Sequence, residues 1–185
     1  MLIIDNYDSF TYNIVQYIKI LGINPTVIYN DELSLNEIKK LNFSRIIISP
    51  GWGNPNNSGV TMDIIDYYKD LCPILGICLG MQCISQYYGA KIIKLKEPYH
   101  GKNSKIYFKD DFKLFKGLSQ GFEATRYHSL MVSDIKAPIE LKATTDDNIP
   151  MAIKIKDKKI YGVQFHPEAI LTENGIKIFE NFIKL

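Results

Sequence analysis

Apolar positions in the first half of the chain follow two alternating rhythms. Short runs, Leu2-Ile3-Ile4, Thr26-Val27-Ile28-Tyr29, Ile46-Ile47-Ile48 and Ile74-Leu75-Gly76-Ile77, have the uninterrupted character of buried strands. Between them, apolar residues recur at helical spacing. Asp8 or Ser9 is placed to cap a helix whose inner face is Phe10, Ile14, Tyr17 or Ile18, and Leu21, with Gly22 stopping it. Ser34-Leu35-Asn36-Glu37 has the spacing of a capping box, which opens a short helix. The third run leads into Ser49-Pro50-Gly51-Trp52-Gly53-Asn54-Pro55, a stretch of turn formers. One helix is expected around 60–70, before the fourth run, and another over 79–88, after it. Such alternation predicts an α/β fold with a mostly parallel sheet covered by helices on both faces.

After Gly89 the rhythm changes. Additional short strands are expected around 91–95, 104–108, 122–126, 139–145, 151–155 and 160–165. A last helix carries Ile176, Phe179 and Ile183 on one face, with Phe182 beside them. There is no internal repeat, low-complexity segment or linker. A chain of 185 residues is the size of one domain, so 1–185 is read as a single unit.

Charge and composition narrow the function classes. The 22 basic and 20 acidic residues are dispersed, which leaves no basic patch for nucleic acid. An apolar fraction of 46% suits a soluble globular chain, and no apolar run approaches the ~18 residues of a membrane span. Met1-Leu2-Ile3-Ile4 turns polar at Asp5-Asn6, unlike a signal peptide, so a cytoplasmic protein is expected. Cys72, Cys78 and Cys83 are odd in number and not spaced as C-x-x-C, and His100, His128 and His166 lie far apart. No disulfide framework and no metal site are expected.

Gly76-Ile77-Cys78-Leu79-Gly80 carries the strongest chemical signal. It has the form G-x-C-x-G, the thiol counterpart of a nucleophile elbow, between an apolar strand and a helix. A sharp turn there lifts the side chain clear of the sheet, and glycine on each flank avoids a Cβ clash. The helix then aims free N–H groups and its positive dipole end at the sulfur, favouring thiolate over thiol. The N–H of Leu79 is set to bind an oxyanion. Taken alone, the pattern also fits a buried cysteine at a strand–helix join. Cys72 and Cys83 lack such context and read as core or surface cysteines.

A thiol nucleophile needs a base. Tyr161-Gly162-Val163-Gln164-Phe165-His166-Pro167-Glu168 reads as a strand ending in His-Pro-Glu. In extended chain, residues two apart share a face, so Glu168 would lie behind His166, fix its tautomer and stabilise the imidazolium. An ordinary histidine–carboxylate contact fits the same spacing. His128, in Arg126-Tyr127-His128-Ser129-Leu130, competes as base, but neither it nor His100 has a carboxylate at that spacing. Pro50-Gly51-Trp52-Gly53 is a glycine loop at a strand's carboxyl end, where open α/β sheets bind ligands.

With these stretches in view, the chain resembles the class I glutamine amidotransferases, and within them the branch serving anthranilate or aminodeoxychorismate synthases. The likeness runs through Asp5-Asn6-Tyr7-Asp8-Ser9-Phe10-Thr11-Tyr12-Asn13, Asn30-Asp31-Glu32, Ser49-Pro50-Gly51 and Leu75 to Gly80. It continues through His100-Gly101-Lys102, Thr125 to Leu130, Gly162 to Glu168 and Leu171-Thr172-Glu173-Asn174-Gly175. The resemblance implies a flavodoxin-like amidotransferase domain over 1–185 and a Cys78-His166-Glu168 triad. It implies glutamine contacts with Gly51, Gly53, Gln82, Ser129 and Leu130, and an oxyanion hole from the backbone of Gly53 and Leu79. It further implies ammonia delivery to a chorismate-binding synthase subunit, for anthranilate (tryptophan) or aminodeoxychorismate (folate) synthesis, with no cofactor in this subunit.

Two departures stand out: Trp52 replaces the second proline of the family's Pro-Gly-Pro-Gly loop, and Met81 replaces the histidine of its Leu-Gly-His-Gln stretch. The rival readings are the glutaminase of another synthase such as guanylate synthase, a partner-independent thiol hydrolase, and a non-enzymatic flavodoxin-like binding module. The Asp-Asn-Tyr-Asp-Ser-Phe opening and the Arg-Tyr-His-Ser-Leu stretch argue against the first. Against the last, Asp5 and Asp8 stand where a phosphate-bearing cofactor would want free N–H groups and hydroxyls.

Overall fold

The computed structural model describes residues 1–185. The first half alternates as expected: β1 (Leu2–Asn6), α1 (Thr11–Ile20), β2 (Thr26–Tyr29), α2 (Leu35–Ile38), β3 (Ile46–Gly51), α3 (Thr61–Tyr68), β4 (Ile74–Ile77) and α4 (Leu79–Tyr87). The second half holds β5 (Lys91–Lys94), β6 (Lys102–Phe108), β7 (Phe122–Arg126), β8 (Leu130–Ser133), β9 (Ile139–Thr144), β10 (Pro150–Ile155), β11 (Ile160–Val163) and α5 (Gly175–Lys184). Nine strands form one sheet in the order β2-β1-β3-β4-β11-β10-β9-β6-β7, while β5 and β8 pair separately. The strands from β2 to β11 in that order are parallel. The remainder extends the sheet in antiparallel fashion.

The uninterrupted apolar runs follow from burial on both faces. Ile3, Ile47, Leu75, Tyr161 and Val163 pack with Ile14, Val15 and Ile18 of α1 and Phe179 of α5. Their alternate neighbours Leu2, Ile4, Ile46, Ile48, Ile74 and Ile160 pack on the opposite face with Ile64 and Ile65 of α3 and Ile84 of α4. Side chains in a strand point alternately to the two faces, so one run feeds two cores.

Four local expectations need correction. The first helix begins at Thr11, and its cap residue, Phe10, makes no side-chain cap. Asp8 instead accepts the Phe10 N–H at 2.8 Å, and Asp5 accepts the Thr11 hydroxyl at 2.8 Å, so both carboxylates are spent on the turn before the helix. The inner face of α5 is Ile178, Phe179 and Phe182, with Ile176 and Ile183 only half-buried. The short strand β8 follows the Ser129 turn and pairs with β5; it was not expected. Finally, β11 stops at Val163, and His166 to Glu168 lie in a turn beyond it. The capping box at Ser34 and the helix stop at Gly22, φ 84°, are as expected.

Candidate active site

The carboxyl ends of β1, β3, β4 and β11 lie side by side, and the loops leaving them gather the candidate residues. Cys78 joins β4 to α4 with φ 52° and ψ −103°, a backbone conformation costly for a side chain that is not glycine. The surroundings over-determine it. Its N–H donates to the Val163 carbonyl at 2.8 Å, and its carbonyl accepts from the Gln82 N–H at 3.1 Å. A Cβ on Gly76 would strike the Gly80 carbonyl, and one on Gly80 would strike the Ile48 carbonyl. Strand and helix can thus meet only through glycine. The first N–H groups of α4, beginning with Leu79, have no partner within the helix, and Cys78 stands at its N-cap.

His166 reaches the site by a different geometry from the extended chain expected. Its N–H donates to the Thr125 carbonyl at 2.9 Å, and the Ala169 N–H closes a turn onto the His166 carbonyl at 3.2 Å. That turn brings the Glu168 carboxylate to 2.6 Å from His166 Nδ1. The segment is clamped from behind. The Thr172 hydroxyl donates to the His166 carbonyl at 2.7 Å, and Gly175 packs against the Pro167 carbonyl with no room for a Cβ. Phe10 and Tyr127 meet the imidazole edge-on. Burial opposes charge on this ring, but the Glu168 carboxylate and the Cys78 sulfur outweigh it and raise its pKa well above the ordinary histidine value. His166 Nε2 has no hydrogen-bond partner and remains free to exchange a proton.

A cavity of about 330 Å³ opens at Cys78. It is lined by Gly51, Gly53, Gln82, Ser129 and Leu130, together with Leu79. All five candidate contact residues and both candidate oxyanion donors therefore surround one space. Gly53 has φ 87°, which suits glycine, and a Cβ on Gly51 would strike Asn6. A neighbouring cavity of about 440 Å³ shares Gly51, Trp52, Cys78, His100 and Tyr127 and adds His166, Asp8 and Phe10. Cys78 thus faces two spaces, and His166 borders the second. A cavity of about 470 Å³ elsewhere, lined by lysines of β9, β10 and α5, contains none of these groups.

His128 does not compete as base. Arg126 Nε donates to its Nε2 at 3.0 Å, and its Nδ1 lies 2.8 Å from the Leu130 carbonyl oxygen. Burial pushes its pKa down to about 4, so the ring is neutral with both nitrogens engaged. One close neighbour of Cys78 was not singled out from the sequence. Gln164 is fully buried, and its Nε2 lies 3.5 Å from Cys78 Sγ. The signal that could have found it is a carboxamide inside the apolar run Tyr161 to Phe165, since a buried polar group needs a partner. No group of three or more His, Cys, Asp or Glu side chains converges as a metal site would require. No helix is long and apolar enough to cross a membrane.

Comparisons with known proteins identify the family and agree with the fold. The family model for class-I glutamine amidotransferases matches residues 2–185. Anthranilate synthase component 2 of Pyropia yezoensis is 48% identical over 187 residues, covering 100% of this chain and 98% of that protein. The protein of the same name from Saccharolobus solfataricus is 47% identical, covering 98% of this chain and 96% of that one. Among solved structures, a Thermoplasma acidophilum protein assigned to GMP synthase as one of its subunits superposes with a TM-score of 0.88 at 27% identity, over 99% of this chain and 91% of that one.

Proposed function

The chain belongs to the class-I glutamine amidotransferase family, and from that premise we propose that Cys78, His166 and Glu168 hydrolyse glutamine. What supports this most is the strained elbow at Cys78, which borders one cavity together with the histidine of a histidine–carboxylate pair. The glutamine side chain enters the space between Gly51, Gly53, Gln82, Ser129 and Leu130. The Cys78 thiolate attacks the amide carbon, and the carbonyl oxygen becomes an oxyanion held by the Gly53 and Leu79 N–H groups. Protonated His166 gives its proton to the departing nitrogen, the C–N bond breaks, and ammonia leaves a thioester on Cys78. His166 then takes a proton from water, which attacks the thioester and releases glutamate and the thiol. Glu168 holds the imidazole in one orientation and stabilises its charged form throughout. These steps need no cofactor in this chain.

Free ammonia is protonated in bulk water, so a glutaminase of this kind is useful only beside a consumer. Relatives named component 2 of anthranilate synthase, nearly half identical over almost their whole length, support a partner of the component I type. That partner would bind chorismate and aminate it to anthranilate. The test is product identification with chain, partner, glutamine and chorismate mixed. Glutamine-dependent anthranilate is expected, abolished by Cys78→Ala, with ammonia-dependent synthesis left intact. Glutamine use retained by Cys78→Ala would sink the mechanism. Glu168→Gln should slow turnover less than Cys78→Ala does, because the carboxylate orients and does not react.

Two neighbouring readings remain for the same chemistry. A partner making aminodeoxychorismate would use this chain unchanged, and trying both synthase partners separates the two. The fold likeness to a GMP synthase component favours a guanylate-forming partner, but at 27% identity against 48% it is the weaker support.

A further inference from the structure

Gln164 touches the sulfur of the proposed nucleophile, and the direction of that contact can be worked out. A carboxamide turned one way donates to sulfur, and turned the other way offers only an acceptor. The neighbours settle the matter in sequence. Arginine has donors alone, so Arg126 Nε makes His128 Nε2 the acceptor of their 3.0 Å hydrogen bond. The ring proton is then on Nδ1, which donates to the Leu130 carbonyl oxygen at 2.8 Å. Gln82 Nε2 lies 3.4 Å from that same oxygen, which can only accept, so the Gln82 nitrogen must face it. That nitrogen also meets the Gln164 carboxamide at 3.1 Å, where the facing atom is therefore oxygen. The Gln164 nitrogen is left aimed at Cys78 Sγ, 3.5 Å away.

The chain of contacts begins at a cation and ends at the nucleophile. Arg126 is itself buried, its guanidinium lying over the Tyr99 ring at 3.3 Å and donating to the Ser104 hydroxyl at 3.0 Å. Its donor-only chemistry sets the sense of the first bond, and the His128 and Gln82 donors that converge on the Leu130 carbonyl carry that assignment on to Gln164. We propose that Gln164 is a catalytic residue: its side-chain N–H stabilises negative charge on the Cys78 sulfur before attack and again when the thioester breaks. A donor to an ionised partner is worth about twice a neutral hydrogen bond. Cys78 stands at the N-cap of α4, and Gln164 adds a donor from beyond the end of the neighbouring strand. Because the inference rests on Cys78 as the nucleophile, its test must separate the two.

The experiment is the pH profile of iodoacetamide alkylation in the full chain, with the modified residue located by mass spectrometry. Burial pushes the Cys72 and Cys83 thiols up to about 11 and about 12, so Cys78 should react alone near neutral pH. Gln164→Met keeps the length and removes the donor. Its alkylation midpoint should rise by about one pH unit, as expected for a lost hydrogen bond to a charged group. Glutamine turnover with the partner present should fall about ten-fold at neutral pH. A side chain that merely filled the core would leave the midpoint where it was. A second measurement needs no substitution at Gln164. In the wild-type chain, the Gln164 side-chain amide resonances should move with pH along the alkylation curve, and that movement should vanish in Cys78→Ala. Cys78 alkylated with an unmoved midpoint in a folded Gln164→Met, or resonances that ignore pH, would overturn the inference. Alkylation at another cysteine in the wild type would instead overturn Cys78 as the reactive thiol.

Discussion

Gly76 and Gly80 lie against each other where β4 meets α4, with the Gly80 carbonyl filling the place a Gly76 side chain would take. That single contact explains the spacing of the two glycines about Cys78. The strand must deliver the sulfur to the sheet's edge while the helix starts almost on top of the strand it follows. Gly80 makes the same close approach on its other side, to the carbonyl of Ile48 in β3. The elbow is therefore held between two strands, and the sulfur's position depends on the absence of two β-carbons.

Replacing Gly80 by alanine should disturb both stability and the site. The new Cβ would overlap the Ile48 carbonyl, and its other near neighbours are the Ile48 side-chain carbons at 3.0 Å, within a rigid core. Overpacking of this kind costs about 2–3 kcal/mol, which for a domain of this size lowers Tm by roughly 5–10 °C. Gly89→Ala is the control. It has open space around it but φ 90°, so it should cost only about 1 kcal/mol. Thermal unfolding of the two variants reads the difference. Equal losses would mean that the close approach is not what the Gly80 position requires.

His128 predicts a loss of stability in mild acid. Its native value of about 4 lies below the ordinary value of about 6.5 it takes when unfolded. Between these the unfolded chain binds a proton that the native ring does not, so stability rises with pH across that window. The contribution is complete above about pH 6.5 and lost as pH falls toward 4, on the order of 3 kcal/mol in all. His166 runs the other way. Its raised native value gives stability that is present below about pH 6.5 and lost as pH rises above it, outside this window. In His128→Gln the amide can still accept from Arg126 and donate to the Leu130 carbonyl, but it does not titrate. Urea unfolding at pH 7 and pH 4.5 should show a fall in stability for the wild type that is smaller by roughly 2–3 kcal/mol in the variant. Equal acid sensitivity would assign the loss to the carboxylates instead.

How far these features could be read from the sequence depends on where their causes lie. The parallel strands were legible because burial on both faces leaves a continuous apolar run, as in Ile46 to Ile48. The elbow was legible because its glycines and its cysteine stand within five residues. The turn at His166 was not, since Pro167 and Glu168 suit an extended strand end equally well. What bends the chain is the Ala169 N–H closing onto the His166 carbonyl and the clamp from Thr172 and Gly175. Gln164 was hidden for a related reason. Its orientation is set by Gln82, 82 residues away, and ultimately by Arg126, contacts that no local spacing reveals. His128 resembled a base candidate for the same reason, since the Leu130 and Arg126 contacts that hold it neutral and buried are not visible in its lack of a carboxylate partner.

Trp52 offers a direct test of where the proposed synthase partner would sit. It is the chain's one tryptophan, it borders both cavities at Cys78, and its side chain is 80% exposed. Tyr7, Tyr12 and Ile170, which is 92% exposed, lie on loops or helix ends that also follow the carboxyl ends of the strands. A large apolar ring held in water beside an active site suits a covered position in a complex, where tryptophan often dominates binding. Adding the partner should shift Trp52 emission to shorter wavelength, read as the difference from the same titration with Trp52→Phe. Trp52→Ala should weaken assembly about ten-fold or more while leaving the isolated chain's Tm nearly unchanged, because the exposed ring contributes little to the core. If the emission stays that of a solvated indole in a fully assembled complex, the partner does not cover this mouth. Ammonia would then have to leave Cys78 by a route away from Trp52.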